Sequence, residues 1–354
     1  MDEATGTSGQ TPRLGSGVAI VVPVHPGGDG LVRCLEAIAG GDPRADEVVV
    51  AVDGPVAGAR QTAEGYGFRV VETGARAGPA SARNLGAEAT TAPLILFVDS
   101  DVVIPPDTAG RVASYLAERP DVDAVFGSYD ERPSAPGFIA QYKNLFHHYT
   151  HQHGSLEAAT FWTGCGAIRR EVFESVGGFD ARQRWLEDVE LGYRLRAAGH
   201  RIHLDRTLQA THLKRWTFAT MVRSDIFHRA LPWTELIHRY RRLPNDLNLR
   251  IAERASVALL LALVASLALS AWWPGAVIAS LAAALVALAM NLPFYRFLGR
   301  QRGVVFAIRA VPVHWLYLLY SGAAFGLGTA QWAIWRALRL PAHGSRASTR
   351  SSSE

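Results

Sequence analysis

Hydrophobic positions follow two regimes along this chain. As far as Trp216 they come in short runs, each closed by Pro, Gly or Asp, whereas beyond Ala255 they run together over much longer stretches. In the first regime, Val18-Ala19-Ile20-Val21-Val22 stops at Pro23, and Glu47 to Val52 stops at Asp53-Gly54-Pro55. Phe68 to Val71 is shorter, and Leu94-Ile95-Leu96-Phe97-Val98 stands between Pro93 and Asp99. Unbroken apolar runs of this length predict strands buried on both faces. Helical spacing alternates with them. Leu31, Leu35 and Ile38 make one apolar face after the Gly27-Gly28-Asp29-Gly30 turn, and the small-residue stretch Gly78 to Ala89 leads into a further helix. Phe138 to Tyr149 carries an apolar stripe, and Glu187 opens a helix that Gly199 closes. This alternation predicts an α/β fold with a doubly wound, mostly parallel sheet. A dinucleotide-binding fold is excluded, because no G-x-G-x-x-G follows the first strand.

In the second regime, Ala255 to Trp273 and Gly275 to Tyr295 hold no charge, and Ala310 to Trp335 is interrupted only by His314. About twenty apolar residues cross a bilayer core, so three transmembrane helices are predicted, the alanine-rich second being the weakest. Arg239, Arg241, Arg242, Arg250 and Arg254 precede the first span, and Arg296, Arg300, Arg302 and Arg309 lie before the third. The Trp272-Trp273-Pro274 turn has no positive charge. Positive charge stays inside, which predicts a multi-pass inner (plasma) membrane protein with its large domain cytoplasmic. Three crossings would put Arg336, Arg339, Arg346 and Arg350 outside, a conflict that a re-entrant third segment would remove. From Trp216 to Ile237, aromatic and aliphatic residues mix with Arg and His, the composition of helices lying on a membrane. The expected layout is an α/β domain over 17–215, interfacial helices over 216–254 and membrane helices over 255–335. Polar ends lie at 1–16 and 336–354, with no apolar leader in the first.

Composition changes this picture little. The two cysteines, Cys34 and Cys165, exclude a disulfide framework and a thiolate metal site. A net charge of +4, with arginines beside the apolar segments, points to an anionic membrane surface and away from nucleic acid.

The chemistry collects after the fourth strand. Ligands of open α/β sheets bind beyond the carboxyl ends of the strands, and there Asp99-Ser100-Asp101 offers two carboxylates one residue apart. Such a pair suits Mg²⁺ or Mn²⁺ held together with substrate phosphates; the plainer alternative is a turn cap. Val21-Val22-Pro23-Val24, a strand ending in Asp53, Gly78-Pro79-Ala80-Ser81-Ala82-Arg83-Asn84 and Asp99-Ser100-Asp101 follow in order. Gly164-Cys165-Gly166-Ala167, Gly177-Gly178-Phe179-Asp180 and Glu187-Asp188 come after them. The ordered set resembles the family 2 glycosyltransferases over roughly residues 17–216.

The resemblance implies a GT-A, nucleotide-diphospho-sugar transferase-like fold, a divalent metal and sugar transfer with inversion. It puts Pro23, Val24 and Asp53 on the nucleotide, Asp53 at the base, and Arg83 on the base or diphosphate. Asp101 is then the direct metal ligand, with Asp99 on the ribose or a metal-bound water. Asp188, beside Glu187, is the general base. His212 stands where many relatives carry a histidine metal ligand, with Lys214 and Arg215 over the diphosphate. Trp162, Gly164, Cys165 and Trp216 fall on the acceptor side. Each has a plainer alternative: Asp53 as a turn residue before Gly54-Pro55, Glu187-Asp188 as helix-capping acids, His212 as a structural histidine. His147, His148, His151 and His153 are expected to face solvent or acceptor rather than a second metal.

The expected activity is transfer of one sugar from a UDP- or GDP-sugar to a lipid or lipid-linked acceptor. Arg215-Trp216 match the Gln-x-x-Arg-Trp element of processive polysaccharide synthases, but His212 replaces its Gln, which disfavours that alternative. A non-catalytic sugar-nucleotide-binding membrane protein is the remaining one.

Overall fold

The structure, a computed structural model, describes residues 16–25 and 30–338. Of the polar ends expected at 1–16 and 336–354, residues 1–15 and 339–354 lie outside the described residues, as do Pro26 to Asp29, whereas residues 336–337 are helical. In chain order the elements are β1 (Val18–Val24), α1 (Leu31–Ala39), β2 (Glu47–Val52), α2 (Ala59–Gly65), β3 (Arg69–Glu72) and α3 (Pro79–Glu88). Next come β4 (Leu94–Val98), β5 (Val102–Val103), α4 (Thr108–Glu118), β6 (Ala124–Tyr129) and α5 (Phe138–Gln152). β7 (Cys165–Arg169), α6 (Arg170–Ser175), α7 (Glu187–Ala197) and β8 (Ile202–His212) complete the α/β domain.

The strands form one eight-stranded mixed sheet in the order β3-β2-β1-β4-β7-β6-β8-β5. β3, β2, β1 and β4 are mutually parallel, whereas β7 is antiparallel to β4 and β6. The β4 run shows why its sequence is unbroken. Leu94, Leu96 and Val98 enter one core with Leu31, Leu35 and Ile38, while Ile95 and Phe97 enter the opposite core with Phe173 and Phe179. A strand covered on both faces has no polar side to show. Because β1, β2 and β4 are parallel, their carboxyl ends lie at one sheet edge, and that edge receives Asp53 and Asp99.

Gly166 of β7 lies between Phe97 of β4 and Phe126 of β6. A Cβ there would stand 2.1 Å from the Trp162 carbonyl oxygen. Since backbone cannot swing aside, Gly166→Ala is expected to cost about 1–3 kcal/mol of overpacking, read as a lower melting temperature of the detergent-purified protein.

After β8 come α8 (Phe218–Arg223), a π-helical turn (Ser224–Ala230) and α9 (Leu231–Tyr240). Then follow α10 (Ile251–Leu269), α11 (Ala276–Met290), α12 (Leu292–Arg302) and α13 (Val304–Ala337). α10 and α13 are long and apolar enough to cross a membrane. The second expected span is not straight: α11 and α12 meet at 58°, at Asn291-Leu292-Pro293. The break therefore falls in the second apolar segment, and the third, for which a re-entrant path was the alternative, is one 34-residue helix of about 51 Å.

The stripe of α5 explains the docking. Tyr142, Leu145 and Phe146 pack with Phe294, Tyr295 and Leu298 of α12 and with Ala307 and Ala310 of α13. Lower on α13, Tyr320 hydrogen-bonds Asp225, itself ion-paired to buried Lys143, and Thr329 meets His238 of α9. One side of α13 thus lies against α5 of the large domain, the π-helical turn and α9. In turn α9 packs Trp233, Leu236 and Ile237 on Val189 and Tyr193 of α7.

Candidate active site

A cavity of about 660 Å³ opens at the carboxyl edge of the sheet, and Pro23, Val24, Asp53, Arg83, Asp99 and Asp101 line it together with Lys214 and Arg215. Asp53 ends β2 and is buried. Its carboxylate accepts hydrogen bonds from the backbone N–H groups of Ala77 (2.7 Å) and Gly78 (3.1 Å), and His25 lies 3.3 Å away. It therefore pins the loop that starts α3, besides facing the cavity. Gly78 allows this turn at φ +94, and Pro79 sets the first helical residue.

One turn on, Arg83 is 5% exposed. Its guanidinium donates to Asp99 at 2.7 Å and to Glu187. Burial opposes its charge, but the carboxylates of Asp99 and Glu187 outweigh this and hold the group above its ordinary range. The arginine expected on the base or diphosphate lines the cavity and is paired there with two acids. Next to it, Asn84 clamps the Gly177-Gly178-Phe179 loop, donating to the Phe179 carbonyl (2.8 Å) and accepting from its N–H (2.9 Å). Two distant motifs are joined by that pair.

Asp188 follows Glu187 in the first turn of α7. Although the residue keeps some exposed surface, its carboxyl is enclosed. Burial first, and Glu187 second, push it up to about 7, against the pull of Arg83. Neither Asp188 nor Glu187 lines the cavity; the link to it is Arg83, which does line it and bonds Glu187.

Asp101 meets His212 from across the sheet. Pairing of Val102 with His212 brings β5 beside the end of β8, and His212 Nε2 lies 3.5 Å from Asp101 Oδ2. Burial alone would raise the Asp101 carboxyl, but His212 and Lys214 hold it below the usual range. The His212 ring stacks on Tyr129 at 4.3 Å, and its Nδ1 donates to Asn144 Oδ1 at 2.8 Å. With Nδ1 engaged by Asn144, Nε2 is the ring nitrogen that faces Asp101 and the one a metal would use. Gly30 completes the corner: a Cβ there would lie 2.9 Å from the Asp101 Cα.

Trp162, Gly164, Cys165 and Trp216 do not line this cavity. Cys165 is fully buried on β7, where burial pushes its thiol up to about 12, so it is no nucleophile. Gly164 is needed because the Trp162 ring lies over it. Lys214 sits 4.5 Å over Trp216. His147 and His148 are buried rather than solvated: His148 Nδ1 donates to the Tyr129 carbonyl at 2.7 Å, and His147 meets Arg229 at 2.8 Å. Among the described residues no group of three or more His, Cys, Asp and Glu forms a ready-made metal cage.

Reading the sequence missed His25, Gly30, Arg33, Ser134 and Leu213, which also line the cavity, and Asn144 behind His212. None has a sequence signal of its own except Gly30, in the turn after β1.

With this geometry in view, the likeness to known proteins is specific. Residues 19–177 match the family described as Glycosyl transferase family 2. They form a family 2 glycosyltransferase domain. The chain is 29% identical over 208 residues to the pre-mycofactocin glycosyltransferase of Mycobacterium tuberculosis, covering 55% of this chain and 42% of that protein. It is 31% identical over 137 residues to the O-antigen biosynthesis protein RfbC of Myxococcus xanthus, covering 34% of this chain and 11% of that one. The chain thus spans less than half the length of these relatives. The glycosyltransferase domain, with its C-terminal helices, also has the fold of a mannosyltransferase of Pyrobaculum calidifontis solved with GDP-mannose and Mn²⁺. The TM-score is 0.55 and the identity 21%, over 86% of each chain.

Proposed function

We propose that the protein is a membrane-bound inverting glycosyltransferase moving a single sugar from a nucleotide-diphospho-sugar to a hydroxyl of a lipid or lipid-linked acceptor. One observation supports the reading: Arg83, in the cavity wall, bonds both Asp99 on the donor side and Glu187, the chain neighbour of Asp188, whose carboxyl is pushed up to about 7. Asp53 and the strand end at Pro23 and Val24 would hold the nucleoside, and Lys214 and Arg215 the diphosphate. Asp188 takes the acceptor proton as the acceptor oxygen bonds to the anomeric carbon. The bond from that carbon to the diphosphate breaks, and its electron pair leaves on phosphate oxygen. Arg83 holds the two acid motifs in register and is a positioning residue.

Asp101 and His212 would hold Mg²⁺ or Mn²⁺, with Asp99 beside them, the remaining positions falling to donor oxygens. When bound, that cation offsets the charge developing on the leaving phosphate. The Mn²⁺ of the Pyrobaculum mannosyltransferase supports the ion class, and its GDP-mannose the donor class. Arginines before α10 and around α12 support a cytoplasmic large domain at the inner membrane.

Purified protein in lipid nanodiscs, given radiolabelled UDP- and GDP-sugars and a membrane lipid extract, is expected to move label into the organic phase. The product should gain the mass of one sugar. A ladder of masses would instead indicate a processive synthase, and nucleotide binding without donor consumption a non-catalytic protein.

A further inference from the structure

A second cavity of about 750 Å³ lies between the loop before α7, the start of α9 and the C-terminal half of α13. Its lining is mainly apolar and aromatic, with Phe227, Leu231, Pro232 and Trp332 on the helices and Trp185 on the loop. Trp185 is fixed by stacking on His228 at 3.8 Å. Two guanidinium groups stand on the loop wall. Arg182 is paired to Asp180 at 2.9 Å, but exposed Arg184 has no hydrogen bond or ion pair to any described residue.

The lining combines the uncommitted guanidinium of Arg184 with aromatic and aliphatic side chains, and its carboxylate, Glu235, is already paired to Arg239; together these fit an amphiphile with an anionic head. The size also decides. A concave space of this volume takes a headgroup and the start of a chain, whereas a protein partner needs a flatter patch of about 800 Å². The groove is also tied to the site. Leu186, at φ +59, turns the chain from Trp185 directly into Glu187-Asp188. Three peptide units separate Trp185 from Asp188, which limits their Cα atoms to about 11 Å. The α9 wall is packed on α7 itself, through Trp233 against Val189 and Tyr193.

We propose that this groove seats the acceptor, a lipid whose headgroup carries a phosphate. Its chain lies along Phe227, Leu231 and Trp332, the phosphate on Arg184, and the reacting hydroxyl reaches Asp188. The acceptor role rests on the transferase reading above; occupancy by a phosphate-bearing lipid does not. On this proposal neutral lipids are the poorer acceptors, because they offer Arg184 no anion.

The test uses the full chain in nanodiscs containing phosphatidylglycerol with a diazirine in its acyl chain, and in parallel a diazirine diacylglycerol. After illumination, mass spectrometry locates the labelled residues. The phosphatidylglycerol probe is expected to label the segments 227–232 and 328–335 at least fivefold more than the diacylglycerol probe. Arg184→Glu, at an exposed position, should remove that difference without changing calorimetric binding of the donor nucleotide sugar. Equal labelling by both probes, labelling confined to α10 and α11, or labelling unaffected by Arg184→Glu would overturn the proposal. So would a dimer that Trp332→Ala converts to monomer, since the groove would then join two copies. In the transfer assay, Arg184→Glu should raise the half-saturating concentration of lipid extract at least tenfold with the donor KM unchanged. If the groove labels as expected but no lipid accepts sugar, the transferase reading fails while the lipid site stands.

Discussion

Asp188→Asn is expected to lower sugar transfer by roughly a hundred- to ten-thousand-fold, the usual contribution of a positioned general base. The amide is nearly isosteric, so nucleotide-sugar affinity and melting temperature should change little. The pH profile supplies an independent check. Burial and Glu187 push Asp188 up to about 7, and a base works only when unprotonated. Transfer at limiting substrate should therefore rise close to tenfold per pH unit below about 7 and level off above it; in Asp188→Asn that limb should vanish. A variant that keeps near-normal transfer would mean the acceptor is ionised on arrival, as a lipid phosphate is, and would remove the hydroxyl from the proposal.

How much of this could be read without coordinates varies from residue to residue, for physical reasons. The β4 run was readable because a strand buried on both faces must be apolar throughout, and its parallel neighbours fix where Asp53 and Asp99 emerge. Arg83 was readable as a residue of the cavity wall but not in its contacts. Its counterions lie 16 and 104 residues away, and local composition carries no trace of them. Nothing near Asn144 announces that it orients His212, since an amide on a helix is also an ordinary surface residue. The histidines of α5 look like a solvated run, yet Tyr129 and Arg229 from other elements enclose them. In the second apolar segment hydropathy counts run through Asn291-Leu292-Pro293, because Phe294 and Tyr295 are apolar. Those rings face α5 rather than lipid, and Pro293 was the only local warning of the bend.

Asp101→Ala is expected to reduce turnover by at least about a hundredfold, the scale on which removing one stabilising group at a developing oxyanion acts. Stability should respond far less. The Asp101 side chain is one-third exposed, and its backbone carbonyl, not its carboxylate, accepts the Leu213 N–H that holds the β5–β8 corner. The variant does remove one member of the Asp101–His212 pair, so Mn²⁺ affinity, measured by calorimetry in the presence of nucleoside diphosphate, should fall in parallel. Chelation gives a cycle that separates the two roles a carboxylate could have here. If Asp101 acts through the cation, chelating wild-type protein should lower its transfer to the level of the variant, and chelating the variant should change nothing further. If Asp101 instead binds the donor directly, the two losses should multiply. Near-normal transfer by Asp101→Ala with Mn²⁺ present would move the metal away from the Asp101–His212 corner and leave the packing of that histidine on Tyr129 and Asn144 as its whole role.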